Sequence, residues 1–220
     1  MRILAVSDIH GALDRFREIY LRVRKDIELV LFAGDIAPYR GIYQTSKLLD
    51  ELDTFIDVPL LCVPGNMDPP EHYEKPREKV INIHGKAIAI NNLVVIGVGG
   101  SPPTPFGTVF ELEEKAIEEL LSGAAANVAS FDNAIVLSHS PPYATKCDIV
   151  YMGQHVGSKT IRRFIEERKP LLCVCGHIHE SRAVDRIDRT VIVNPGPCMK
   201  GFYALIDVDK EGVNVELLKL

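Results

Sequence analysis

Five short apolar runs in this sequence each stop abruptly at a compact polar cluster. Ile3–Ser7 runs into Asp8-Ile9-His10-Gly11, Glu28–Ala33 into Gly34-Asp35, and Pro59–Val63 into Gly65-Asn66-Met67-Asp68. Ala134–Ser138 ends at His139, and Leu171–Cys175 at Gly176-His177-Ile178-His179. Runs this short, rich in Val, Ile and Leu, read as strands buried on both faces. Helical periodicity over Ala12–Lys25 and Tyr43–Asp53 alternates with the first three, which predicts βαβ units and a parallel sheet. Ligands of open α/β sheets gather beyond the carboxyl ends of the strands. Every one of the clusters lies there.

The rest of the chain extends this plan. Val80–Ile83, Ala87–Ile90 and Leu93–Val98 read as strands, and Glu111–Ser122 as a third helix. Pro141–Gly157 lacks periodicity and reads as an ordered loop over a site. Ser158 is the expected N-cap of a fourth helix to Arg168, stopped by Pro170. Strands are expected at 183–187, 191–193, 203–207 and 213–217, with no repeat or flexible linker, so residues 1–220 form one domain. The net charge of −5 argues against binding a nucleic-acid backbone, leaving a nucleotide or short fragment as the only expected form. Five dispersed cysteines do not make a disulfide framework. The apolar start is too short for a signal peptide and no stretch is long enough to span a bilayer. No membrane partner and a cytoplasmic location are therefore expected.

The polar clusters hold carboxylates, imidazoles and one amide. In Asp8-x-His10 and His177-x-His179 both side chains share a face if the backbone stays extended. Such a donor mixture suits Mn, Fe, Co, Ni or Zn, whereas all-oxygen sites suit Mg or Ca. Other features have plainer readings. Cys62, Cys173 and Cys175 alternate with apolar residues as core thiols. Gly97-Val98-Gly99-Gly100 is a turn, because Pro102 and Pro103 forbid the helix a dinucleotide loop needs. His72, His84 and His155 read as surface or loop residues, and Arg40, Tyr143 and Lys146 as solvated loop positions that a substrate phosphate could reach. No Gly-x-Ser-x-Gly elbow or Walker loop is present.

Taken in order, Asp8-x-His10, Gly34-Asp35, Gly65-Asn66-x-Asp68, His139 and Gly176-His177-x-His179 resemble the motifs of the calcineurin-like metallophosphoesterase superfamily, in its small bacterial and archaeal form. The tail Val193-Asn194-Pro195-Gly196 resembles the segment that comes after the last motif in those members. The resemblance implies an α/β fold, a four-layer αββα sandwich of two mixed β-sheets flanked by helices. It also implies two divalent metal ions, manganese foremost, with Fe, Co, Ni or Zn compatible. Asp8, His10, Asp35 and His179 would hold one ion. Asp35 would bridge to a second, completed by Asn66, His139 and His177. A hydroxide shared by the ions would then attack phosphorus, with Asp35, Asn66 and His139 as the catalytic residues.

One position departs from the pattern. Met67 stands where most members carry a histidine. A thioether transfers no proton, and general acid catalysis typically contributes about 10²–10⁴-fold. The expected function is accordingly a dinuclear metal-dependent phosphodiesterase, rather than a monoesterase, acting on a small phosphate ester. The alternative is a catalytically weak scaffold of the same fold serving protein–protein interaction. The oligomeric state is open, and a homodimer is compatible with the sequence.

Overall fold

Along β1 (Arg2–Val6), Leu4 and Val6 face one way and Ile3 and Ala5 the other, and all four are fully buried. A strand buried on both faces needs an apolar layer on each side, and this requirement organises the molecule. The computed structural model describes residues 1–220. Its other elements are α1 (Leu13–Val23), β2 (Leu29–Phe32), α2 (Thr45–Phe55), β3 (Leu60–Cys62), β4 (Val80–Asn82), β5 (Ala87–Ile90) and β6 (Leu93–Val98). They continue as α3 (Glu114–Ala125), β7 (Ala134–Ser138), α4 (Lys159–Arg168), β8 (Leu172–Val174), β9 (Ala183–Ile187), β10 (Thr190–Asn194), β11 (Phe202–Val208) and β12 (Val213–Lys219).

The strands form two mixed six-stranded sheets, ordered β12-β11-β1-β2-β3-β4 and β5-β6-β7-β8-β10-β9. Parallel pairing runs through the centre of each, β1 to β4 in the first and β6-β7-β8-β10 in the second. Three apolar layers separate four structural ones. Phe16, Ile19, Leu49 and Leu52 of α1 and α2 pack on Leu4, Val30, Phe32 and Leu60 of the first sheet. The opposite faces of those strands, with Ile3, Leu31 and Leu61, meet Val95, Leu137, Val174 and Val193 of the second sheet. Ile96, Val136, Cys173 and Ile192 on the outer face of that sheet take Ile117, Leu121, Ile161 and Phe164 of α3 and α4. The αββα order and both mixed sheets agree with the expected fold class.

Most strands lie within a residue or two of their expected positions. The third helix does not. It starts at Glu114 rather than Glu111 and runs to Ala125. Glu111 is drawn out of the helix because its carboxylate accepts hydrogen bonds from Thr104 Oγ1, Thr108 N and Thr108 Oγ1. Small residues then extend the other end. Ser158 caps α4 as expected, accepting from Ile161 N, while its own hydroxyl donates to Glu114. All five cysteines are free and buried, with Cys62, Cys173 and Cys175 in the core. No helix is long and apolar enough to cross a membrane.

Leu31 is fully enclosed between the sheets, so Leu31→Ala leaves a cavity with no side chain free to fill it. We expect a loss of roughly 2–5 kcal/mol, read from the denaturant midpoint, with the slope of the transition unchanged.

Candidate metal centre

Central strands of both sheets end at one edge of the sandwich. β1, β2 and β3 deliver Asp8, Asp35 and Asn66 from the first sheet, while β7 and β8 deliver His139, His177 and His179 from the second. The chain turns sharply at each of these ends. Asp8, His10, Asp35 and His177 all have positive φ, between 44° and 67°. Non-glycine residues held there cost of order 1 kcal/mol or more each, and such strain clusters at functional sites. Two glycines allow close approach. A Cβ at Gly65 would overlap the Asp35 carboxylate, and one at Gly176 would lie 2.8 Å from Asp8 Oδ2.

Hydrogen bonds then decide which atom of each side chain remains available. Asp35 Oδ1 accepts from Met67 N at 2.8 Å, and Asp8 Oδ2 accepts from His177 N at 3.2 Å. The second oxygen of each carboxylate is left facing the site. Asp35 Oδ2 stands 3.7 Å from His10 Nε2 and 3.6 Å from His139 Nε2. Asp8 Oδ1 is buried without a hydrogen-bond partner, 3.3 Å from His179 Nε2 and 3.9 Å from His10 Nε2. His10 Nδ1 donates to Ala37 O at 3.1 Å and His139 Nδ1 to Ala33 O at 2.7 Å. A carbonyl can only accept, so the neutral rings carry their hydrogen on Nδ1 and present a bare Nε2.

Asn66 is oriented in the same manner. Glu111 takes the hydroxyl hydrogen of Thr108 at 2.7 Å, so Thr108 Oγ1 accepts from Asn66 Nδ2 at 2.9 Å. Asn66 Oδ1 therefore points inward, 2.8 Å from His139 Nε2. Two lone-pair atoms at that distance repel unless positive charge stands beside them. Charges tell the same story. Burial and the negative charges of Asp68 and Asp8 push the Asp35 carboxyl well above the ordinary range. Burial also opposes ionisation of Asp8, but the surrounding imidazoles, His179 foremost, hold it below that range. His10 and His139 are lowered by burial, and His177 is pushed down to about 3 by burial and by His139.

Divalent cations fit this donor set. Ligand atoms about 2.1 Å from one ion stand roughly 3–4 Å apart. Asp8, His10 and His179 form one group and Asp8, Asp35 and His139 another, with all donor atoms of a group within 4.8 Å of one another. Asp8 belonging to both was not expected from the motifs. His177 stands beside the second group, its ring 5.0 Å from that of His139.

An open cleft of about 280 Å³ leads to these donors, lined by His10, Asp35, Asn66, His177 and His179 and by Tyr39, Met67, Phe106 and Thr108. The 101–112 segment thus contributes Phe106 and Thr108 to the walls, whereas no residue of 141–157 lines the cleft. His155 explains the loop's order: its Nδ1 pairs with Asp148 at 2.6 Å, and Asp148 also accepts from Ala144 N, Thr145 N and Gly157 N. Arg40, Tyr143 and Lys146 do not line the cleft. His84, read as a surface or loop residue, lies in the loop between β4 and β5, where it accepts from Gly99 N at 2.8 Å and pins the turn after β6.

The sequence profile of calcineurin-like phosphoesterases matches residues 1–181. The chain belongs to that family. This phosphoesterase is 38% identical over 202 residues to the uncharacterized protein MJ1162 of Methanocaldococcus jannaschii, covering 90% of this chain and 88% of that one. Its fold is similar to that of TT1561 of Thermus thermophilus, with TM-score 0.75 at 20% identity and 98% of each chain covered. It is also similar to a structure described as a novel archaeal phosphodiesterase, with TM-score 0.56 at 15% identity, covering 99% of this chain and 100% of the other.

Sequence reasoning about this phosphoesterase missed Asp68, Thr108, Glu111 and Tyr39 as contributors to the site. Asp68 had a visible signal, the last position of the third cluster. It is fully buried, and its Oδ2 accepts from Asp35 N, Ile36 N, Gly65 N and Tyr73 Oη while its Oδ1 accepts from Ala37 N. In Asp68→Asn the amide oxygen can keep the four donors at the Oδ2 place, but the amide nitrogen then faces Ala37 N and the buried negative charge that all five donors serve is gone. We expect roughly 1–3 kcal/mol of destabilisation in chemical denaturation, and weaker Mn²⁺ binding by calorimetry. Thr108→Val should leave stability within about 1 kcal/mol but weaken Mn²⁺ binding, because Asn66 loses the bond that sets its amide. Unchanged metal affinity in that variant would remove Thr108 from the site.

Proposed function

We propose that this phosphoesterase is a dinuclear metal-dependent phosphodiesterase. The observation that carries the reading is the convergence of lone-pair atoms on one small volume: Asp8 Oδ1, Asp35 Oδ2, Asn66 Oδ1 and the Nε2 atoms of His10 and His139. Bound divalent cations would supply the missing positive charge, hold a phosphate ester at the cleft and acidify a water for attack on phosphorus. Manganese is the proposed metal, with Fe, Co, Ni or Zn compatible with the same donors.

The chain's own residues supply preorganisation. Asp8, His10 and His179 are assigned to one cation, Asn66, His139 and His177 to the other, and Asp35 to both, with Asp8 also within reach of the second. Each carboxylate is held by a backbone N–H on one oxygen, so little rearrangement accompanies binding. His10, His139 and His177, held neutral by burial, offer lone pairs without first losing a proton, whereas the Asp8 carboxylate raises His179. Met67, a cleft-lining thioether, donates no proton at the position where most members carry a histidine. A leaving group must then depart as an anion, which favours esters with acidic leaving groups and diesters over alkyl monoesters.

Purified protein loaded with Mn²⁺ should bind close to two ions and cleave bis-p-nitrophenyl phosphate faster than p-nitrophenyl phosphate. Asp35→Asn should lower kcat at least about 100-fold, and Met67→His should raise monoester cleavage by up to roughly 100-fold. Faster monoester cleavage by the unmodified chain would reverse the diester assignment. A protein that takes up neither Mn²⁺, Co²⁺ nor Ni²⁺ would overturn the metal reading altogether.

A further inference from the structure

Most of the cleft wall is apolar, although its floor is built to hold charge. Phe106 is 85% exposed and Tyr39 55% exposed, and both line the same 280 Å³ opening as the donors. Neither ring sits on a loose segment. Phe106 lies between Pro105 and Gly107 in a turn whose Thr104 Oγ1 accepts from Phe106 N at 3.2 Å and donates to Glu111 at 2.6 Å. The same Glu111 binds Thr108, which orients Asn66, so Phe106 is registered to the metal donors through one carboxylate. Tyr39 stacks on His10 with ring centroids 4.2 Å apart and planes 16° from parallel. Its hydroxyl meets Met199 Sδ at 3.9 Å, and more than half of the residue stays exposed.

Exposing a large apolar ring costs solvation, and a rigid turn that keeps it exposed beside a cleft marks a contact surface. The cleft lining holds no Lys or Arg. A substrate's second phosphate would find no partner there, whereas a flat ring attached to the reacting phosphate would find two aromatic faces. We infer that Phe106 and Tyr39 form a stacking subsite for the nucleobase of a nucleoside phosphate ester carrying a single phosphate. This rests on the reading of the site as a phosphoesterase centre and adds the class of group attached to phosphorus. Stacking on an aromatic face is tolerant of base identity, so purine and pyrimidine esters should be handled alike.

Phe106 is the residue to test, because Tyr39 also touches His10. Calorimetry on the Mn²⁺-loaded protein should compare adenosine 5′-monophosphate, ribose 5-phosphate and hexyl phosphate. The nucleotide should bind roughly 5- to 10-fold more tightly than ribose 5-phosphate, the low end of what one base–aromatic stack contributes. That ratio should fall to about one in Phe106→Ala, recover in Phe106→Trp, and be unaffected by Tyr43→Ala, an exposed aromatic outside the cleft. Equal or undetectable binding of the two ribose phosphates, hexyl phosphate binding as tightly as the nucleotide, or a ratio that survives Phe106→Ala would overturn the subsite. Failure of the function reading looks different. Phe106-dependent nucleotide binding by a protein that cleaves no ester would sustain the subsite and remove the phosphodiesterase. Cleavage of methyl p-nitrophenyl phosphate without nucleotide preference would do the reverse.

Discussion

Three carboxylates, Asp8, Asp35 and Asp68, lie buried within one small volume where β1, β2 and β3 end. Bringing them out of water together is strongly unfavourable unless each is hydrogen-bonded or neutralised. Asp68 is satisfied by the protein, which wraps four backbone N–H groups and the Tyr73 hydroxyl around it. Asp8 and Asp35 are only half satisfied, each with one oxygen bound and one aimed at imidazole nitrogens. The division assigns the roles. Asp68 ties the turn after β2 to the turn after β3, and the other two each keep one oxygen that could hold a cation.

The second sheet completes this arrangement through contacts that cross the sandwich. His139 at the end of β7 reaches Ala33 O at the end of β2, and His177 N after β8 reaches Asp8 on the first sheet. Gly100 N bonds Pro64 O, and Phe110 N bonds Asn66 O, so the 101–112 segment docks on the third strand end. The position of the donors therefore depends on how the two sheets stack. Inter-sheet packing of residues such as Leu31 and Leu137 sets the distances at an edge where neither side chain appears.

Recognising the donors did not reveal what orients them. Glu111 illustrates why. Its place after Phe110 and before a run of Leu and Glu is indistinguishable by period from the first turn of α3, yet Thr104 and Thr108 capture it. Three local hydrogen bonds outweigh a weak helical preference at a helix end. His84 and His155 were equally opaque. Each bonds a group in a turn or loop, Gly99 N and Asp148, and no spacing rule links a histidine to such partners. The 141–157 loop was legible as ordered, yet none of its residues lines the cleft, because order and location are separate properties.

Periodicity and the polar clusters were enough to identify alternating strands and helices, one edge carrying the chemistry, the family and the candidate donors. These are local properties: side-chain alternation within a strand, or the residue at which an apolar run stops. Tertiary structure decided which oxygen of each carboxylate is free, that Asp8 joins both donor groups, that Asp68 serves the fold, and that Phe106 and Tyr39 wall the cleft. Each of those depends on contacts between segments distant in sequence and on opposite sheets. Such contacts exist only after the apolar layers have packed and brought the strand ends within hydrogen-bond range.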